Sequence, residues 1–394
     1  MPKLSPRKKQ MFRILALFFR FLASTGLAVV LLLLLMLLTF LGTLQQVQQG
    51  LYAVQNEYFG SLFLVHWIGG VIPLPLPGAY LLLILAFINV ACGGIVRSRK
   101  GWRHGGTLIA HTGILLLLAG GFVTFKYAVR GDLTLYEGDQ ADRFESNDQW
   151  EIVLAGPKGG LVIPDKEFRS LQGNRSRAFF AQSLPFDLTV TGYAGNTTAI
   201  PVTSGHLTQG KIVDGQYLKT LPPGREAEEN APGAYVAITD KATQKTAEHI
   251  LTGLAGAPLT VKAGSENWTI TLNRRSWPLP FTVRLDKFTR ELYPGTNIPK
   301  VFMSDVTKIE ASSQQAVRIS MNEPLRDKGY TLYQASWGPS NAGPHDRLFS
   351  TFAVVRNPAE WMPLYACSVI GIGLFLHFSL KLFEYLRKQG KARV

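Results

Sequence analysis

Four stretches of this chain stay apolar long enough to cross a bilayer core, which needs roughly 20 helical residues. They run from Phe21 to Leu41, Ala79 to Val96, Gly106 to Phe125 and Met362 to Leu382. The first contains LAVVLLLLLMLLTFL, too long for a signal peptide and without a small-residue cleavage site, so it reads as a retained span. The glutamine-rich QQVQQG that follows marks a return to water. Residues 42–78 are amphipathic and then Pro-rich, which predicts an interfacial helix followed by a re-entrant or surface-lying turn. Across residues 126–361 the period shortens to two. Runs such as DLTLYEG, WEIVLAG, PFDLTVTGY, NWTITLN, FTVRLDKF and YTLYQASW alternate apolar and polar positions between Gly, Pro and Asn turns. The pattern predicts a large β-rich domain of antiparallel, sandwich-like or open-barrel sheets, inserted between the third and fourth transmembrane α-helices. The phrase LPF opens a strand pattern at Leu184 and again at Leu279, so two related β modules are a further expectation.

Charge fixes the expected orientation. The 394-residue chain carries a formal +14, which by itself would suit a polyanion binder. Fifteen basic residues and one acid, Glu384, lie in residues 1–20, in the short 97–105 loop and in the tail from Lys381; removing them from totals of 41 and 27 leaves 26 of each sign. The excess flanks membrane segments, so it is a topology signal and no nucleic acid is expected. Both termini and the 97–105 loop are placed on the cytoplasmic side, and 126–361 on the outer side. The resulting map is a basic N-terminus (1–20), spans at 21–41, 79–96, 106–125 and 362–382, an outer loop (42–78), the β-rich domain (126–361) and a basic tail (383–394). Cys92 and Cys367 both fall in apolar runs without CxxC spacing and read as small membrane-embedded side chains.

The third span carries the candidate chemistry. His111 stands five residues inside Gly106, roughly 7–8 Å deep at the helical rise, where an imidazole needs a partner and marks a functional candidate. Gly106, Gly113 and Gly120 recur every seven residues and form a small-residue seam. His111 projects away from that seam, about 140° from Gly106 and about 160° from Gly113. His377 lies near the same depth in the last span and reads either as a second ligand or as a histidine near a helix end. His104 and the basic residues Arg97, Arg99, Lys100 and Arg103 could receive an anionic group, or simply be solvated and anchor the topology. His66, beside Trp67, reads as an interface side chain. His206, His249 and His345 lie in loops with no ligand spacing among them. The phrase MNEPLRDKGYTLYQASW predicts a strand, a turn and a strand, with Asn322, Pro324 and Gly329 setting the turns. No nucleotide loop, nucleophile elbow or zinc motif is present, so chemistry by this chain alone is not expected.

Three phrases carry a family resemblance: PFTVRLDKFTRELYPGTNIPKVFMSDV (280–306), MNEPLRDKGYTLYQASW (321–337) and NPAEWMPLYACSVIGIGLFLHF (357–378). With the order of parts, they resemble the ResB/CcsB family of system II cytochrome c biogenesis. The resemblance implies a subunit of a cytochrome c haem lyase complex that takes part in haem delivery across the membrane and in attachment to CxxCH apocytochrome c. It implies haem b shared with a ResC/CcsA-like partner, and His111 as an axial ligand of the haem iron. His377 is then a second ligand candidate and His104 a contact on the propionate side. Apocytochrome c, a thioredoxin-like thiol reductant (ResA/CcsX-like) and membrane lipid complete the implied partners. The implied location is the bacterial cytoplasmic membrane, or the thylakoid membrane if plastid. The alternatives are a scaffold that binds no haem but stabilises the partner and docks apocytochrome c or its reductant, and, more distantly, a membrane sensor or secretion component.

Overall fold

The structure is a computed structural model that describes residues 6–157, 159–202, 211–253, 258–263, 266–295, 299–339 and 346–392. It divides into a helical unit, Met1–Ala128 with Asn357–Val394, and a β unit, Val129–Arg356.

In the helical unit four helices are long and apolar enough to cross a membrane: Thr25–Gln49, Ala79–Val96, Trp102–Tyr127 and Met362–Gln389. The first runs past the expected end at Leu41 because glutamine is a good helix former, and it stops only at Gly50, whose φ is 84°. A separate helix, Pro6–Leu22, precedes it. Ser24 breaks the two apart: its backbone is extended and its hydroxyl caps the following helix by accepting from the Leu27 amide at 3.1 Å.

The segment after Gly50 differs from expectation in one respect. Leu51–Val54 and the π-helical turn Gln55–Phe59 supply the interfacial helix, but the Pro-rich part forms a hairpin of Phe63–Ile68 with Ile72–Pro77. Gly69 and Gly70 make the bend at positive φ. Pro73, Pro75 and Pro77 share one parity of the second strand, opposite Trp67, Val65 and Phe63. The missing N–H groups therefore all fall on the free edge, while Ile72, Leu74 and Leu76 turn theirs to the partner strand. Val54, Tyr58, Leu64 and Leu76 join Leu31, Leu38 and Leu82 in a buried cluster between the hairpin and the first two spans.

The third and fourth spans pack along the predicted glycine seam. A Cβ on Gly106 would lie 2.5 Å from the His377 amide nitrogen, one on Gly113 2.6 Å from Ile370 Cγ1, and one on Gly120 2.8 Å from Met362 Cβ. Gly373 returns the contact, with a Cβ there falling 2.4 Å from the Ala110 amide nitrogen. Thr124 adds a hydrogen bond to Asn357 Oδ1 at 3.2 Å.

The β unit holds two principal antiparallel sheets. The larger runs, edge to edge, Ser313–Ser320, Pro299–Glu310, Glu266–Leu292, Gln140–Gly156, Val129–Tyr136, Phe349–Arg356, Tyr330–Gly338 and Leu325–Asp327. Gly159–Pro164 and Leu259–Ala263 extend it at one end. The smaller runs Thr246–Thr252, Gly233–Asp240, Phe186–Ala194, Ser176–Phe179. Two cores result. One packs Phe186, Leu188 and Val190 of the smaller sheet on Ile152, Leu154, Trp268 and Ile270 of the larger. The other gathers Phe144, Phe281, Val283, Leu285, Val306, Leu332, Phe352 and Val354. The strands Gln140–Gly156 and Glu266–Leu292 serve both, and their pairing slips between Pro278 and Val283, where the long strand bends from one core into the other. The repeated LPF phrase leads into Phe186–Ala194 in one core and falls at the bend within Glu266–Leu292 in the other. Leu184, Phe186, Leu188 and Val190 are buried in one, and Leu279, Phe281, Val283 and Leu285 in the other, at the same spacing.

Candidate functional site

His111 projects from the third span onto the second. That second span changes from α-helix (Ala79–Asn89) to a π-helical stretch, Val90–Val96. The wider turn brings Gly94 under the imidazole: a Cβ there would fall 2.6 Å from His111 Cδ2 and 2.8 Å from Cγ. His111 Nδ1 lies 2.8 Å from the Thr107 carbonyl oxygen, one turn back along its own helix. A carbonyl can only accept, so Nδ1 carries the proton and Nε2 keeps its lone pair. No hydrogen bond reaches Nε2 among the described residues. Metal-ligating histidines commonly donate their other ring N–H to a carbonyl in this way, which fixes tautomer and ring orientation.

His377 is tied to the same residue by a different atom. Its Nδ1 lies 3.0 Å from Thr107 Oγ1. The backbone of His377 packs on Gly106, whereas the ring of His111 packs on Gly94. Thr107 thus meets both histidines, through its carbonyl and its hydroxyl, and the two pack on different glycines. His104 ends the short helical turn Trp102–His104 that leads into the third span. In the same loop, Arg97 reaches the Ala23 carbonyl at 3.4 Å, Lys100 the Ile95 carbonyl, and Arg103 the Glu384 carboxylate at 3.4 Å. Those three cations are engaged by the chain itself, as anchoring residues would be.

The remaining histidines separate in the same way. His66 Nδ1 lies 2.6 Å from the hydroxyl of Tyr58, a buried ring, so His66 is a structural partner within the hairpin. His249 faces Asp214 at 3.0 Å on the surface of the β unit. His206 and His345 lie outside the described residues. Cys92 and Cys367 are free and sit in different spans. The 321–337 phrase forms the expected strand, turn and strand, with Lys328 and Gly329 at positive φ between Leu325–Asp327 and Tyr330–Gly338.

Residues 251–345 match the ResB-like family. The match spans less than half of the chain. It covers two of the three phrases that carried the resemblance; the third, from Asn357, lies beyond it. Within the matched residues, Phe288, Phe302 and Trp337 lie with ring centroids 5.7–6.5 Å apart, and Arg290 lies 4.5 Å over the Trp337 ring. A curated relative, the cytochrome c biogenesis protein CcsB of Microcystis aeruginosa, is 35% identical over 69 residues. That stretch is 17% of this chain and 15% of the length of the relative.

Sequence reasoning missed two features of the site. One is the Gly94 contact, for which the signal was the paired Gly93 and Gly94 inside an apolar span. The other is a corner at Ala23 and Ser24, where Asn89 donates to the Leu22 carbonyl at 2.6 Å and to the Ser24 carbonyl at 3.0 Å. A buried asparagine in a span has to find such partners.

The β unit also contains a polar cleft of about 400 Å³ lined by Asp132, Arg143, Glu145, Asn147, Glu228 and Arg274. Burial, aided by the Glu228 charge and opposed by the Asn147 hydrogen bond and the Arg274 charge, pushes the Asp132 carboxyl above the ordinary aspartate range. A raised carboxyl pKa adds stability that is present below the unfolded-state value and is lost as pH rises through the folded one. That contribution is therefore smaller at neutral pH than in acid. Asp132→Asn is expected to raise the melting temperature at pH 7, and the gain is expected to vanish in acid below the ordinary aspartate value, where the wild-type carboxyl is already neutral. Equal melting temperatures at pH 7 would refute this.

Proposed function

We propose that this chain is the ResB-like half of a cytochrome c maturation complex. In this reading it sits in the bacterial cytoplasmic membrane, or a thylakoid membrane, with both termini cytoplasmic and the β unit on the outer side. It acts with a ResC/CcsA-like membrane protein in delivering haem and attaching it to CxxCH apocytochrome c. The two cysteines stand in separate spans, so the thiol reduction that attachment requires falls to a thioredoxin-like partner. The ResB-like region and the relative's name support the pathway, and the helix lengths and basic flanks support the topology.

One observation carries the haem reading: an imidazole within a membrane span has its Nδ1 proton fixed by the Thr107 carbonyl and its Nε2 left for a ligand. The donor set fits haem iron, for which neutral imidazole is a good axial ligand. Haem, if bound, would be held by His111 together with a residue of the partner or with His377, and would supply a redox-active b-type iron. The chain's own part is to hold the His111 ring, with Thr107 fixing the tautomer and Gly94 leaving the space the ring occupies.

The test is the reduced-minus-oxidised absorption spectrum of the chain copurified with its ResC/CcsA-like partner. His111→Ala is expected to lose the low-spin b-type signal, and added imidazole to restore it. Gly94→Val is expected to weaken the signal with His111 intact, because its side chain would overlap the ring. An unchanged spectrum and haem content in His111→Ala would remove the ligand role and leave a scaffold that binds no haem.

A further inference from the structure

The helix Pro6–Leu22 has two unlike faces. Arg13, Ala16 and Arg20 recur at i, i+3 and i+7, within a stripe about 60° wide at the helical repeat, with Arg7 in the first turn outside it. Met11, Ile14, Phe18 and Phe21 lie opposite, and their side chains are 53–61% exposed within the chain. A helix with a broad aromatic and aliphatic face and a basic edge suits the boundary between headgroups and acyl chains.

The second observation is where the helix is fixed. Its last turn is held at the corner before the first span: Asn89 takes the Leu22 and Ser24 carbonyls, Gly93 packs beneath the Ala23 carbonyl, and Arg97 reaches that same carbonyl at 3.4 Å. These residues belong to the last two turns of the second span, at the end that opens into the basic 97–105 loop. The corner therefore lies about one turn inside the headgroups, at the depth such helices occupy. Ser24's extended backbone keeps the helix from continuing the first span. A segment pinned at that depth, with one apolar face and one basic stripe, has a bilayer surface as its natural neighbour.

We propose that Pro6–Leu22 is an interfacial helix that lies on the membrane face carrying Arg97, with its apolar side in the acyl boundary and its basic stripe on anionic phospholipid headgroups. Asn89 and Arg97 hold its inner end. Binding of the outer end depends on lipid charge, since each basic side chain near an anionic surface contributes roughly fivefold to surface occupancy. The role is independent of haem.

The experiment places spin labels on the full chain in a Cys92→Ser, Cys367→Ser background, one at a time at Ile14→Cys, Phe18→Cys and Ala16→Cys. These positions are exposed, so labelling leaves the packing undisturbed. Collision rates are read with oxygen, which partitions into lipid, and with a water-soluble nickel chelate. In vesicles of phosphatidylcholine with phosphatidylglycerol, labels at positions 14 and 18 are expected to favour oxygen and the label at 16 the chelate. Pure phosphatidylcholine, or the Arg13→Gln, Arg20→Gln pair, is expected to raise chelate access at 14 and 18 about tenfold or more. Equal chelate access on all faces would show a helix in water. Shielding from both reagents would show a face covered by protein. Indifference to lipid charge would remove the headgroup contacts; each of these three results overturns the proposal.

Discussion

Gly106→Leu is expected to separate the third and fourth spans and to lower the thermal stability of the helical unit sharply. At Gly106 a Cβ would fall 2.5 Å from a backbone nitrogen and 2.6 Å from the Gly373 carbonyl oxygen, and backbone cannot rotate out of the way as a side chain can. Overpacking of a close-packed contact costs about 1–3 kcal/mol and occasionally more. The separation would also pull His377 from Thr107, so the change reaches the histidine pair without touching either ring. Gly121→Leu is the control, because nothing lies within 4 Å of a Cβ there. Melting curves of the detergent-solubilised chain, followed by protease resistance, should rank Gly106→Leu well below Gly121→Leu and wild type. Matching curves for the two leucine variants would refute the seam as the basis of pairing.

Phe186→Ala should be the most damaging truncation in the β unit. The ring is fully buried, meets Trp268 edge-on with centroids 5.6 Å apart, and stands where the smaller sheet packs on the larger. Removing a buried phenylalanine costs about 3–5 kcal/mol, which for a unit of this size lowers its melting temperature by on the order of 10 °C. Phe180, with 74% of its surface exposed, provides the comparison; Phe180→Ala should stay within about 0.5 kcal/mol of wild type. Trp150 and Trp268 lie in the same core, so tryptophan fluorescence during urea unfolding reports directly on it. A small loss for Phe186→Ala would mean that the site collapses readily and that the two sheets do not depend on this ring.

The spans, the β insertion and the glycine seam were all legible in the sequence because each is written as a period: long apolar runs, alternation, and glycine at every seventh position. The burial pattern after each LPF was legible for the same reason. The hairpin at 63–77 was not, since prolines at alternate positions look like a turn until a partner strand leaves their side unpaired. Nor was the corner at Ala23, which depends on Asn89, more than sixty residues away. For His111 the direction away from the seam was readable, but the glycine beneath the ring comes from the π-helical turn of a different span. His377 illustrates the limit well. Counting residues placed it near His111, but the Thr107 hydroxyl that its Nδ1 meets belongs to another span and carries no signal in the sequence around His377.

The two long strands shared by both cores bear on how the chain is made. Gln140–Gly156 leaves the synthetic machinery long before its main partner, Glu266–Leu292, exists. Val129–Tyr136 waits longer still, because it pairs with Phe349–Arg356, with Val129 opposite Arg356. Ladders between residues so distant in sequence form slowly. The larger sheet therefore keeps open edges throughout translation and closes only when its last strand is complete, just before the fourth span begins. Until then the nascent unit presents unpaired strands to any neighbour, and its survival rests on that final strand arriving before another chain supplies one.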